Sequence, residues 1–487
     1  MYYSVVNGVP IFAPRLPSFL QIDGFKPEID REALQYYLSC GYCPDRRTIL
    51  KGVRKVLPAE TVWFKNGRVQ HKKYWSPPTA DKEPLDEKYW IRGLREVLQC
   101  LPERLRTQSD GFIGVMLSGG LDSSLVASLM ALCKPLKVKL VGYTLDYGGG
   151  VQSELQMAET VAGHLGMELR VVKIDHDRVM RELEHLQELY DEPLVKFTFI
   201  PTYYLMEEAA KEVDLLVTGD GGDELFFGYR TDYWEEPWLI NILSKPGALG
   251  KPVLGLGRML CNPLADWTGS TKMALAAELF GRENATHPDW YYRTATRVFQ
   301  PYFSDEELER LLHQKATFKV SETNALSLKR AIPDNRMEKM SHTMLGGSLP
   351  ADLMRLEKGT LATGLKTWSP LLEPEVIEMA MRIPVQVRHR RGTTKYLLRQ
   401  LIREYGLLPD EAVDSMAKVG LDAPIQRWLM DGRYRDYFEK LVGDGAKVLG
   451  IDEGYAKKFY SPRTHVQALK AWAVVGVALW VRSVLRQ

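Results

Sequence analysis

Apolar and polar positions change their period twice along this chain, and the changes divide it. Over residues 1–76 the pattern is strand-like at Tyr2 to Val6, Thr61 to Phe64 and Val69 to Tyr74. Lys65-Asn66-Gly67-Arg68 predicts a hairpin turn between the last two, because Asn and Gly tolerate the positive φ that such turns need. Asp30 suits the N-cap of a short helix over Glu32 to Leu38. Ser76-Pro77-Pro78-Thr79 then opens a linker spanning 77–88.

From Tyr89 onward short apolar runs alternate with helical periods. A helix over Tyr89 to Leu105 leads into a wholly apolar strand, Phe112 to Leu117. The loop Ser118 to Ser124 and a helix through Leu125 to Leu132 follow, then a strand at Lys139 to Thr144. A helix over Glu154 to Leu165, a strand at Leu169 to Val172, a helix over Thr202 to Glu212 and a strand at Leu215 to Thr218 complete the series. Apolar strands separated by helices predict an α/β fold with a parallel sheet covered on both faces. Ligands of such sheets bind beyond the carboxyl ends of the strands, where the loops after Leu117 and Val217 lie. Beyond residue 230 the pattern is mainly helical.

Composition narrows the class without naming a chemistry. Hydrophobic residues are 45% and charged residues 26%, the profile of a folded globular chain. A formal charge of +2 gives no electrostatic case for nucleic acid, and the basic run Arg388-His389-Arg390-Arg391 reads as a solvated face. Five cysteines argue against a disulfide framework, and the lone pair Cys40 and Cys43 lacks the second pair a zinc ribbon requires. The longest apolar run, Ala471 to Val481, is eleven residues, short of the roughly twenty that span a bilayer, so a buried C-terminal helix and no membrane partner are expected. With no basic n-region behind Met1, a cytoplasmic location is expected.

Two loops carry candidate chemistry. Ser118-Gly119-Gly120-Leu121-Asp122-Ser123-Ser124 joins a buried strand to a helix, the context in which backbone amides and a helix N-terminus cradle phosphate. No Walker lysine follows; Asp122 instead makes sense if Mg²⁺ bridges it to phosphates. The second loop, Thr218 to Tyr229, sets Asp220, Asp223 and Glu224 among four glycines. Those acids repel one another unless a cation joins them, and the apolar flanks Leu215-Leu216-Val217 and Leu225-Phe226-Phe227 place the loop at a buried edge.

These residues resemble the asparagine synthetase family, including relatives that close β-lactam rings and lasso peptides. Further matching segments follow in order: Asp191-Glu192-Pro193, Ile200-Pro201-Thr202, Leu349-Pro350-x-Asp352, Lys395-x-x-Leu398-Arg399 and Lys418-x-Gly420. The resemblance implies an ATP-pyrophosphatase domain of the HUP, adenine-nucleotide-α-hydrolase-like type over 89–487, with a helical C-terminal part. It implies that residues 1–76 are a small β-rich remnant of a class II, Ntn-type glutamine amidotransferase domain. ATP and Mg²⁺ are the implied cofactors. The ATP and pyrophosphate site would comprise Leu117, Ser118, Gly119, Gly120, Asp122, Ser123, Ser124 and Gly219, with Asp122 and Asp223 on the metal. Lys418 matches the catalytic lysine, Lys395 a second pyrophosphate contact, and Asp220 the acid that receives a small cationic nucleophile or takes its proton.

Departures from the family limit what carries over. Residue 2 is Tyr2, not the cysteine nucleophile of full-length members, so the amine is expected as ammonia, as an organic amine, or from a separate glutaminase or substrate-carrying partner. Lys366 and Trp368 stand where the family has a glutamate and an arginine beside the acyl substrate, which points away from plain aspartate. The reading is an ATP-dependent ligase that adenylates a small carboxylate and makes an amide. A ring- or amide-forming ligase of natural-product biosynthesis and a non-catalytic partner subunit stand as alternatives. A tRNA-modifying relative is disfavoured by the near-neutral charge.

Overall fold

The computed structural model describes residues 1–43, 45–80, 83–103, 111–133, 138–148, 152–229, 303, 305–314, 336–390, 393–414, 423–462 and 465–485. The amino-terminal segment opens with a hairpin, β1 (Tyr2–Val6) and β2 (Val9–Ala13), with β3 (Arg54–Lys55) on the far side of β1. The sequence did not announce β2, because Pro10 interrupts its pattern. An edge strand tolerates proline, and β2 is an edge. A second hairpin, β4 (Glu60–Lys65) and β5 (Arg68–Lys73), turns at Asn66-Gly67 as expected, with φ of 53° and 72°. Asp30 caps α1 (Arg31–Cys40), its carboxylate accepting from Glu32 N at 3.1 Å and Ala33 N at 3.0 Å.

The main sheet holds five parallel strands in the order β10-β9-β6-β7-β8: β6 (Phe112–Met116), β7 (Lys139–Asp146), β8 (Glu168–Lys173), β9 (Leu215–Val217) and β10 (Lys366–Trp368). Alternate residues face opposite cores. Ile113, Val115, Leu215 and Val217 point into one, which is lined by α2 (Glu87–Cys100), α3 (Leu121–Cys133), α4 (Gln152–Leu165) and the helix Pro374–Arg382. Met116, Val141, Tyr143 and Leu216 point into the other, with Leu205, Met206 and Leu356. β10 was missed because a three-residue strand with a lysine shows no readable period.

Between β8 and β9 lie α5 (His176–Tyr190) and α6 (Phe199–Ala209). α6 begins three residues before the expected Thr202, since Pro201 sits in a first helical turn that needs no amide partner. The signal for α5 is plain in the sequence. Asp175 caps it, and Val179, Leu183 and Leu186 recur at helical spacing, each fully buried and worth roughly 1.5–3 kcal/mol. Their core also contains Tyr36, Tyr37 and Leu38 of α1 and Trp472 and Trp480 of the C-terminal helix His465–Trp480. The amino-terminal segment therefore shares one core with the end of the chain. The helical stretch Gln467–Leu485 runs longer than the eleven-residue apolar run of the sequence and is by length and composition apolar enough to cross a membrane, yet most of it is buried inside the fold. Apart from β10, the described residues beyond 303 are mainly helical. The expectation for 230–302 and 315–335 lies outside the described residues.

The strand order reverses between β6 and β9. From β6 the chain moves outward through β7 to β8, while β9 and then β10 add on the other side. A crevice opens at such a switch point, and both candidate loops leave the sheet there.

Candidate active site

The first loop is built by β6 and α3. Leu117 closes the strand, its amide donating to Tyr143 O at 2.8 Å and its side chain buried in the core. Ser118 Oγ accepts from the Gly120 amide at 3.3 Å, Gly119 turns at φ 74°, and Ser123 Oγ donates to Gly120 O at 3.0 Å. Ser118 Oγ and Ser123 Oγ lie 3.1 Å apart, and Ser124 is fully buried. The hydroxyls thus brace a loop at the N-terminus of α3, where helix amides favour an anion.

The second loop runs from Thr218 into the short helix α7 (Gly222–Phe226) and packs directly on the first. A Cβ at Gly219 would come within 2.7 Å of Ser123 N and 2.9 Å of Asp122 C. A Cβ at Gly222 would fall on the Asp122 carboxylate itself. Glycine is required here for close approach, a contact between segments about a hundred residues apart that no local pattern could announce.

That approach gathers Asp122 and Asp223 around Lys395. Lys395 Nζ lies 2.7 Å from Asp223 Oδ1 and forms an ion pair with Asp122 Oδ2. Burial alone opposes the charge on Lys395, yet the two carboxylates raise its pKa well above the usual lysine range. Two facing carboxylates beside a phosphate-type loop fit Mg²⁺, which is commonly held by one or two carboxylates together with substrate phosphates. Among the described residues no cluster of three or more His, Cys, Asp or Glu could form an all-protein cage.

Asp220 is held differently. Its Oδ1 accepts from Arg355 Nη2 at 2.6 Å, and its Oδ2 accepts from Thr218 Oγ1 at 2.8 Å. Arg355 rides on the helix Ser348–Thr363, and sequence reasoning missed it. The available signal was the spacing Asp352, Arg355, Lys358, which places three charges on one helical face. Asp352 pairs with Lys196, and Lys358 with Asp191 at 3.0 Å. Beside α7, Glu224 is pushed up to about 7 by burial and then by Asp223, and it accepts from Tyr229 OH at 2.7 Å.

Arg388 is no solvated charge: it is fully buried, donating to Leu225 O and Ala380 O at 2.9 Å each, and braces the end of α7. Burial of a guanidinium is eased when backbone carbonyls accept hydrogen bonds from it, as they do here from Nη1, which a residue count cannot foresee. Lys366 is exposed at the amino end of β10, beside Leu215, whereas Trp368 lies next to the site opposite Val217. Trp368 O accepts from Thr218 N at 2.8 Å, and its indole donates to Glu373 at 2.7 Å. Lys418 lies outside the described residues.

A buried polar knot joins the amino-terminal segment to this region. Asp191, at φ 71°, pairs with Arg15 at 2.7 Å, while Glu192 accepts from Tyr2 OH at 3.3 Å and from Tyr37 OH. Burial raises Glu192 to about 7, with Lys358 and the Tyr2 hydroxyl pulling the other way. The folded state therefore holds a proton that the unfolded carboxyl releases near pH 4.3, so this contribution is full below that pH and is lost as pH rises through about 7. Glu192→Gln should flatten the stability profile between pH 5 and 8, by up to about 3 kcal/mol relative to the parent, in urea unfolding followed at several pH values. An unchanged slope would show that Glu192 is ionised throughout.

Comparison with known proteins adds context to this geometry. Residues 97–482 match the family described as Asparagine synthase, and residues 1–75 match the Glutamine amidotransferase domain. Asparagine synthetase [glutamine-hydrolyzing] 1 of Bacillus subtilis is 26% identical, over 99% of this chain and 73% of that protein. A putative asparagine synthetase [glutamine-hydrolyzing] of Mycobacterium tuberculosis is also 26% identical, over 88% of this chain and 63% of its own length. The chain thus spans under two thirds of that mycobacterial relative. Amidase chyE of Penicillium rubens is 29% identical over 49% of this chain and 38% of that protein.

Proposed function

The chain belongs to the asparagine synthase family, and from that premise we propose that it adenylates a small carboxylate with ATP and converts it to an amide. The observation that carries this reading is the meeting of Asp122 and Asp223 on one cation, Lys395, where the phosphate-type loop leaves β6. In the first step a carboxylate oxygen attacks the α-phosphorus, the α–β phosphoanhydride bond breaks, and pyrophosphate leaves. In the second the amine nitrogen attacks the acyl carbon, AMP departs with the bridging oxygen, and the nitrogen sheds a proton.

The chain's residues contribute mainly by holding groups in place and balancing charge. Ser118, Gly119, Gly120, Ser123 and Ser124 cradle the pyrophosphate portion, with Leu117 and Gly219 setting the spacing of the two loops. Asp122 and Asp223 hold Mg²⁺, which when bound neutralises charge between the carboxylates and the phosphates. Lys395 contacts the pyrophosphate, and Lys418 steadies negative charge near the acyl group. Asp220 receives the amine; because Arg355 and Thr218 already donate to its oxygens, it acts as an oriented acceptor. Trp368, packed beside Thr218, helps select the acyl group, which points to a carboxylate other than aspartate.

ATP–pyrophosphate exchange against a panel of small carboxylates tests the first half. Exchange should appear with at least one carboxylate. Its absence across a broad panel, with ammonium and amines present, would remove the ligase reading. Product formation should then depend on ammonium or an organic amine supplied to the protein.

A further inference from the structure

The position of Lys395 has a consequence that holding pyrophosphate does not explain. Its ammonium sits between the two carboxylates that the proposed function assigns to the metal. The contact is built in rather than incidental. Lys395 is itself buried, and it adopts φ 53°, in the left-handed region that residues other than glycine seldom occupy. Phe227, at φ 55°, lies alongside, and its carbonyl accepts the Lys395 amide at 3.3 Å. Gly228 follows, and a Cβ there would strike both Asp223 Oδ1 and Lys395 Cε. Two unusual backbone conformations and one close-packed glycine thus converge on a single ammonium.

We propose that Lys395 is a tethered counter-cation, holding Asp122 and Asp223 together and yielding them to a divalent ion as nucleotide binds. The proposal rests on the assignment of these two carboxylates to the metal. Two partly buried carboxylates held against one ammonium repel one another, so they need a positive partner at all times. A divalent ion arriving alone must compete with a covalently attached cation for the same oxygens. Arriving with a nucleotide, it meets less resistance, because the displaced ammonium can pair with phosphate oxygens on the other side. Lys395 thereby couples metal binding to nucleotide binding, and metal alone is held weakly.

The test uses Mn²⁺ as the probe, without nucleotide, on the full 487-residue chain, with bound and unbound ion counted by electron paramagnetic resonance. Lys395→Met should bind Mn²⁺ alone at least about tenfold more tightly than the parent, because the competing charge is gone. Adding Asp122→Asn to that variant should remove the gain. Equal Mn²⁺ affinity in the parent and Lys395→Met would overturn the proposal. Removing the lysine also leaves two partly buried carboxylates together without their shared cation, so thermal melting supplies a second readout. Mn²⁺ should raise the melting temperature of Lys395→Met and leave that of the parent nearly unchanged. A variant that stays unfolded in Mn²⁺ counts against the exchange of one cation for the other. The outcomes separate from the ligase reading: exchange activity without the Mn²⁺ effect sinks only this proposal, and the Mn²⁺ effect without exchange sinks only the ligase.

Discussion

Asp122→Asn should lower ATP–pyrophosphate exchange by about 10²–10³-fold or more, the usual consequence of deleting one oriented charge from a phosphate-transfer site. The carboxamide keeps the shape of the side chain, so the close approach of Gly222 is preserved. What changes is charge. Lys395 retains its contact with Asp223 at 2.7 Å, which keeps the site folded while leaving it one negative charge short for a divalent ion. Circular dichroism and melting should therefore report a folded protein with little exchange. A near-parental exchange rate in Asp122→Asn would remove this carboxylate from the reaction and with it the basis of the proposed function.

Gly219→Ala should be nearly as damaging, for a steric reason. Its new Cβ would lie 2.7 Å from Ser123 N and 2.9 Å from Asp122 C, and both neighbours are main chain. A side chain can swing aside; these atoms are fixed by β6 and the first turn of α3. The two loops must separate by a substantial fraction of an ångström, enough to cost about 10²-fold in exchange. Stability should fall by about 1–3 kcal/mol, the range for overpacking a filled interior. Gly163→Ala is the control. It lies within α4 with nothing within 4 Å of the new Cβ, and alanine there should be neutral or stabilising by up to about 1 kcal/mol. Similar losses in both variants would show that loop spacing is not what Gly219 provides.

Features that depend on a few neighbouring residues were legible in the chain. Asp30 capping α1 and Asn66-Gly67 turning β4 into β5 are examples, as is the apolar run of β6 leading into Ser118–Ser124. Each is settled by backbone chemistry within about one turn. α5 was equally legible and was overlooked, since Asp175 and the spacing of Val179, Leu183 and Leu186 announce it. β10 was not legible: strand pairing, not its own three residues, makes it a strand. Arg388 misled because a run of basic residues reads as surface, while carbonyls from Leu225 and Ala380 make its burial tolerable. The sharing of one core by residues 2–53 and the C-terminal helix was likewise invisible, because apolar positions do not say which partner will cover them.

By itself the sequence determined the α/β class, the family and the two loops. Local periodicity and the S-G-G-x-D-S-S spacing require no knowledge of distant contacts. Only the tertiary structure decided that β6 and β9 are neighbours, and hence that Asp122 and Asp223 share Lys395 while Asp220 answers to Arg355. The physical reason is range. Helix caps, turn residues and backbone preferences act between near neighbours in the chain, whereas strand pairing and charge pairing act across whatever sequence separation the fold has closed. Here charge pairing joins residues 122 and 395, and 220 and 355, at contact distance.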